Sequence, residues 1–290
     1  MSEIKNVQFS INTKTRFGIE TLSIDTLYKR NQNLINKISD YHRLKFFILM
    51  YVKENQGTHN IDFNEYNISK GDILFISNNQ IQAYQEIQKV KGYTILFTEE
   101  FLTKNLSTQD IAAYQRLFNN QLYSPKISIP EEMQIEILSI IKALQKEQNQ
   151  DNDYLKEDIL RNQLRILLLK CERELNKQSP LIESAHFKDF ITFQKHVNEQ
   201  FNKSHNAQYY AEIMNISYKH LNDICKEFTN KTAKTYIDNY IILESKRQLA
   251  LKDISIKEIA YYLGFEEITN FTKFFKKRTS TTPSNYRDSL

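Results

Sequence analysis

Few side chains in this sequence are placed to do chemistry, and their spacing narrows what they could do. His42 and His59 lie 17 residues apart in an apolar region, with no His-x-His pair to start a metal site. Cys171 and Cys225 share no metal-binding or redox spacing, which fits thiols of a reducing cytosol. No P-loop, Gly-x-Ser-x-Gly or Cys-x-x-Cys occurs, so the expectation is no enzyme and no cofactor. What stands out is a basic end. Over residues 268–290, Lys273, Lys276, Lys277, Arg278 and Arg287 stand against Asp288 alone. Clustered cations near a helix C-terminus favour a polyanionic partner. The pull is local, because the whole chain carries 39 basic and 35 acidic side chains, a net of +4.

The elements that must position these groups fall into two parts, as 290 residues suggest at about 150 per domain. The longest apolar run, Phe46 to Val52, is seven residues, too short to span a bilayer. The N-terminus has no apolar signal segment, so a cytoplasmic location is expected, with no membrane partner. Residues up to about 100 alternate as short strands with turn signals such as Lys70-Gly71-Asp72, the pattern of a sandwich or small barrel. Residues 101–178 turn to helical period. Within 153–175, Leu160, Leu164, Leu167, Leu168 and Cys171 form one apolar stripe, with Ile166 and Leu169 off it. That width allows packing on the β-region or a seam with a second copy, and a homodimer through this helix is the expectation carried forward. Residues 179–186, with Pro180 and a polar cluster, are expected to be a linker. Residues 187–290 have the pattern of an all-helical domain.

That last domain repeats itself. At an offset of 50, Leu221, Ile224, Cys225, Lys226, Thr229, Thr232 and Tyr236 align with Phe271, Phe274, Phe275, Lys276, Thr279, Thr282 and Tyr286. Upstream the offset is 49, pairing Ala211 with Ala260, Asn215 with Gly264 and Ile216 with Phe265. Each copy has the pattern of a helix-turn-helix, about 207–228 and 255–278. Ser217 is placed to cap the second helix of the first copy, and Ser255 with Glu258 forms a capping-box signature in the second. Asn215 and Gly264 suit the turns. The stretch between, residues 235–251, has helical spacing and would hold the units about 25 Å apart, letting two helices reach successive major-groove faces.

Ser255 to Phe265, Asn270 to Lys277 and Thr282 to Arg287 resemble the AraC/XylS family of bacterial transcription regulators over about residues 187–290. Lys70-Gly71-Asp72-Ile73-Leu74-Phe75-Ile76 resembles the cupin-like sensor that many members carry in front. The resemblance implies a two-domain α+β chain. Residues 1–178 would be a cupin-like β-barrel with a helical dimerisation segment, and 187–290 an all-α DNA-binding domain. The sequence departs from the family where Asn230 and Ser280 stand in place of a glycine and Ile241 in place of an arginine.

By helix geometry and family position, Tyr218, Lys219, Asn222 and Asp223 in the first unit, and Ile268, Thr269, Asn270 and Lys273 in the second, are the base-reading candidates. Lys226, Lys276, Lys277 and Arg287 are the phosphate candidates. The expected partners are double-stranded DNA, a second copy of the chain, a small effector and, for an activator, RNA polymerase. His42, Arg43, Lys45 and Tyr84 are candidates for polar groups of an effector pocket. Two alternatives stay open: a regulator whose N-terminal domain takes a protein signal, and a cupin metal enzyme with a helical appendage. Against the enzyme, the later ligand position of a cupin falls near Gln82, an amide that binds metals poorly.

Overall fold

The computed structural model describes residues 5–10, 16–32, 41–85, 89–104, 114, 116–120, 122–151, 154–178, 186–251 and 254–290. The chain divides between residues 180 and 181 into two compact units. Residues 179–185 of the expected linker lie outside the described residues.

The first unit has two five-stranded sheets. One orders β1 (Lys5–Val7), β3 (His42–Leu44), β8 (Ile81–Gln85), β5 (Gln56–Ile61) and β6 (Asn64–Ser69). The other orders β10 (Lys126–Ser128), β7 (Asp72–Ile76), β4 (Phe47–Glu54), β9 (Lys91–Phe97) and β2 (Ile19–Ser23). The apolar run around β4 is explained by burial on both faces. Ile48, Met50 and Val52 join Leu74, Ile76 and Leu96 in the core that also holds Ile61, Ile68 and Tyr84 of the first sheet. Leu49 and Tyr51, pointing the other way, join Ile73, Phe75, Ile95 and Phe97 under the helices. The helices are α1 (Ile24–Gln32), α2 (Glu99–Thr103), α3 (Glu131–Gln148) and α4 (Lys156–Gln178).

Two expectations are corrected here. The stretch 101–178 is not wholly helical, because β10 pairs antiparallel with β7, matching Lys126 to Leu74 and Ser128 to Asp72. Ile127 is buried beside it, and the Ser128 hydroxyl donates to Asp72 Oδ1 at 2.6 Å. The second correction concerns α4. Leu160, Leu164, Leu167, Leu168 and Cys171, expected at a seam between copies, are at most 2% exposed. They share one core with Ile137, Ile141 and Leu144 of α3 and with the outer face of the second sheet. The sheet presents enough apolar surface to cover the whole stripe. The residues that stay outward are Ile159, Ile166 and Leu169.

The second unit is helical: α5 (Phe187–Gln200), α6 (Ala207–Ile213), α7 (Tyr218–Thr229), α8 (Ala233–Ala250), α9 (Ile256–Tyr262), α10 (Ile268–Thr279) and α11 (Pro283–Asp288). Its starts are written in capping side chains. Ser217, Thr232, Ser255 and Thr282 each accept a backbone N–H three residues on, and Ser255 with Glu258 closes a full capping box. Asn230 and Ser280 end α7 and α10 at φ 54° and 63°, adopting the left-handed geometry without glycine. Gly264, at φ 85°, has a second constraint: a Cβ there would lie 2.2 Å from the Asn202 carbonyl oxygen. Among the described residues, no helix is long and apolar enough to cross a membrane.

Candidate nucleic-acid interface

The pairs α6–α7 and α9–α10 turn through four and five residues. The Ile216 N–H donates to Ala211 O and the Phe265 N–H to Ala260 O, closing both corners alike. Ala211 and Ala260 are fully buried where the helices meet. On α7, Leu221, Ile224 and Cys225 face inward, as Phe271 and Phe275 do on α10. The opposite faces are open. Tyr218, Lys219, Asp223 and Lys226 are exposed on α7, and Ile268, Thr269, Asn270, Lys273, Lys276 and Lys277 on α10. Tyr218 and Ile268, at matching repeat positions, are 43% and 39% exposed at the start of their helices. The Thr269 hydroxyl donates to the Glu267 carboxylate at 3.0 Å, so its methyl is the part left to contact a ligand.

Two candidates are placed elsewhere. Asn222 is half-buried, and its amide is occupied: Nδ2 donates to Tyr218 O at 3.1 Å, and Oδ1 accepts the Ala233 N–H at 3.0 Å. It ties α7 to the start of α8 and is not free to read a base. The second repeat shows why. Its counterpart of Ala233 is Pro283, which has no N–H, and its counterpart of Asn222 is Thr272, bonded to its own helix at Ile268 O. Arg287 is likewise committed, with Nε donating to Leu249 O at 3.2 Å and Nη2 to Ile254 O at 2.7 Å. It satisfies carbonyls at the end of α8 and beyond, which corrects its assignment to phosphate. Burial lowers its pKa.

Other members of this face were not legible from spacing. Asp238 of α8 is buried and bonds both Lys234 and Arg278, and the Arg278 guanidinium lies 4.2 Å over the Phe274 ring. His186 bonds Glu227 of α7 at 2.9 Å and meets His220 edge to face. Both links join residues about forty positions apart, a distance at which periodicity is silent.

In the first unit, the effector candidates separate. Lys45 is exposed and donates to Asn79 Oδ1 at 2.7 Å, and Arg43, paired with Ile81, is buried but alternates to the face of β3 opposite His42. His42 and Tyr84 do face inward, together with His59 and Gln82. The Gln82 amide bridges the two imidazoles, 3.0 Å to His42 Nε2 and 2.9 Å to His59 Nε2. Burial pushes the His59 pKa down to about 3, so the ring is neutral, and Nε2–H donates to the Gln82 carbonyl. That leaves the lone pair of Nδ1 buried without a hydrogen-bond partner among the described residues. Tyr84, perpendicular to His59 at 4.4 Å between ring centres, is held protonated by burial. Its hydroxyl is near the Gln82 amide but closes no well-formed bond. At His59 and Tyr84 the spot is thus polar but uncharged, set in an aliphatic core.

Comparison with known proteins matches both units. The profile of an AraC-like ligand binding domain fits residues 27–168, and that of a helix-turn-helix domain fits residues 210–289. The HTH-type transcriptional activator RhaR of Mannheimia succiniciproducens is 23% identical over 249 residues, covering 85% of this chain and 86% of that protein. The activator RhaS of Yersinia pestis is 21% identical over 252 residues, covering 86% and 89%. A solved structure of ToxT from Vibrio cholerae covers 94% of each chain at 14% identity, with a TM-score of 0.45.

Proposed function

Since the chain belongs to the AraC/XylS family of bacterial transcription regulators, with a ligand-binding domain in front of its DNA-binding domain, we propose that it inserts α7 and α10 into successive major-groove segments of one duplex. Its relatives are transcriptional activators, not enzymes. The observation that carries the proposal is the pair of matching corners, each with an open polar face, held on either side of the single helix α8. In this reading Lys273 and Thr269 reach base edges, and Lys276 and Lys277, a turn nearer the helix end, meet phosphates. Such a protein acts on DNA in the cytoplasm and, where it activates, beside RNA polymerase. The test is affinity for an operator library with single-base changes at two salt concentrations. Lys273→Ala is expected to cost roughly 1–3 kcal/mol and relax preference at one position. Lys277→Ala should weaken all sequences alike and lower the salt slope by about 1. Arg287→Ala should lower the melting temperature and leave that slope unchanged. Uniform weakening by Lys273→Ala, with altered base preference in Lys277→Ala, would reverse the assignment of the two positions.

The homodimer moves to a new face of α4. Ile159, Asn162, Ile166, Leu169 and Arg173 follow steps of three and four on its exposed side. This is a short heptad seam with one asparagine inside, the residue that fixes register in paired helices. The occupant that suits such a seam is the same helix of a second copy. Ile166→Glu with Leu169→Glu should give folded monomers in analytical ultracentrifugation. Leu164→Glu with Leu168→Glu, inside the core, should unfold the first unit instead. A folded dimer from the first pair would remove the seam from consideration.

The effector we place in the barrel, at His59 and Tyr84. A ligand hydroxyl there donates to His59 Nδ1 and accepts from Tyr84, satisfying groups otherwise expensive to bury. The effector is thus an uncharged molecule bearing a hydroxyl. Thermal-shift screening of uncharged polyols against the matching carboxylic acids checks this. Stabilisation by a polyol, lost in His59→Phe, is the expected result; stabilisation by acids alone contradicts it.

A further inference from the structure

The two recognition helices share a repeat but not a charge pattern. Aligned at the offset of 50, Asp223 of α7 stands where α10 has Lys273, and Glu227 stands where α10 has Lys277. Positions 223 and 273 lie opposite the buried stripe of their helices, at the centre of the open face. The whole of α10 carries Lys273, Lys276, Lys277 and Arg278 with no acid, while α7 balances Lys219 and Lys226 against Asp223 and Glu227.

Several neighbouring acids have structural work. Glu258 closes the capping box of α9, Glu267 at the start of α10 accepts from the Thr269 hydroxyl, and Glu227 holds His186. Asp223 has none. It is exposed, lies in the middle of its helix away from the N-terminal dipole, and has no hydrogen bond or ion pair among the described residues. A carboxylate brought between two phosphate rails is repelled by every duplex. The repulsion is offset only where a base offers it an amino donor, and cytosine N4 is the donor that an aspartate accepts from.

We propose that Asp223 is a selectivity filter, committing the first unit to a cytosine at the position where the second unit, through Lys273, takes a guanine. The inference rests on the reading of α7 and α10 as groove readers. It divides their labour. The basic α10 supplies most of the sequence-independent grip, and α7 supplies little grip but rejects sequences that leave Asp223 unpaired. One chain therefore recognises two unlike half-sites, even though its two units are repeats.

The test selects duplexes from a randomised library with the full chain, and then measures affinity for the winning sequence, its single-base variants and random duplex. Wild type should enrich a cytosine at one position of one half-site and lose about tenfold in affinity when it is replaced. Asp223→Ala should flatten that single position, leave the other half-site unchanged, and bind random duplex several-fold more tightly. Asp223→Lys should turn the preference at that position to guanine. A wild-type motif retained unchanged by both variants overturns the assignment to Asp223. A wild-type chain that enriches no motif overturns the groove-reading beneath it instead.

Discussion

The DNA-binding unit depends on a single helix having to serve two small cores. α6 and α9 are seven residues each, too short to persist alone, and their partners α7 and α10 have apolar stripes that two helices cannot cover. Both pairs close on α8, which touches α6, α7, α9, α10 and α11. Hence its burial on nearly all sides: Tyr236, Ile237 and Ile241 toward its start, and Leu249 and Ala250 toward its end. The family's arginine position, Ile241, is wholly buried here and contributes to packing. Where α8 buries charge it supplies partners, as a buried carboxylate requires. Asp238 is shared by Lys234 and Arg278, and Glu244 by Arg247, Gln248 and Tyr262. A helix clamped in this way holds α7 and α10 at a fixed separation, the rigidity that the proposed reading of one duplex by both helices requires.

The N-terminal unit solves a different problem with the same economy. Its central strand β4 is apolar on both faces because one face closes the barrel and the other carries the helices. The helical layer is therefore part of the domain's own core, and α4 keeps Ile159, Ile166 and Leu169 on its exposed side. Within the barrel, the His42–Gln82–His59 chain is a hydrogen-bonded polar link set among aliphatic side chains.

Much of this was legible in the residues. The repeat at an offset of 50, the capping side chains and the left-handed turn residues Asn215 and Gly264 are local signals, and local signals survive into structure. What was not legible depends on pairs distant in sequence. Asn222 resembles a free groove residue until Ala233 is found donating to it, and Arg287 resembles a phosphate ligand until Leu249 and Ile254 are found behind it. The stripe on α4 has one period whether it packs on a sheet or on a second copy, so periodicity alone could not choose. Gln82 drew notice only as an unsuitable metal ligand, and its role as a bridge follows from the pairing of β8 with both β3 and β5.

The central claim is that one chain reads one duplex twice. Hydroxyl-radical footprinting of the full protein on its operator tests this most directly. The account predicts two protected patches per chain on the same face of the helix, about 10 base pairs apart, with Lys273→Glu plus Lys277→Glu raising the protein concentration needed and, at saturation, protecting only the α7 patch. A single protected patch per chain, with the same double variant leaving it intact, would contradict the account.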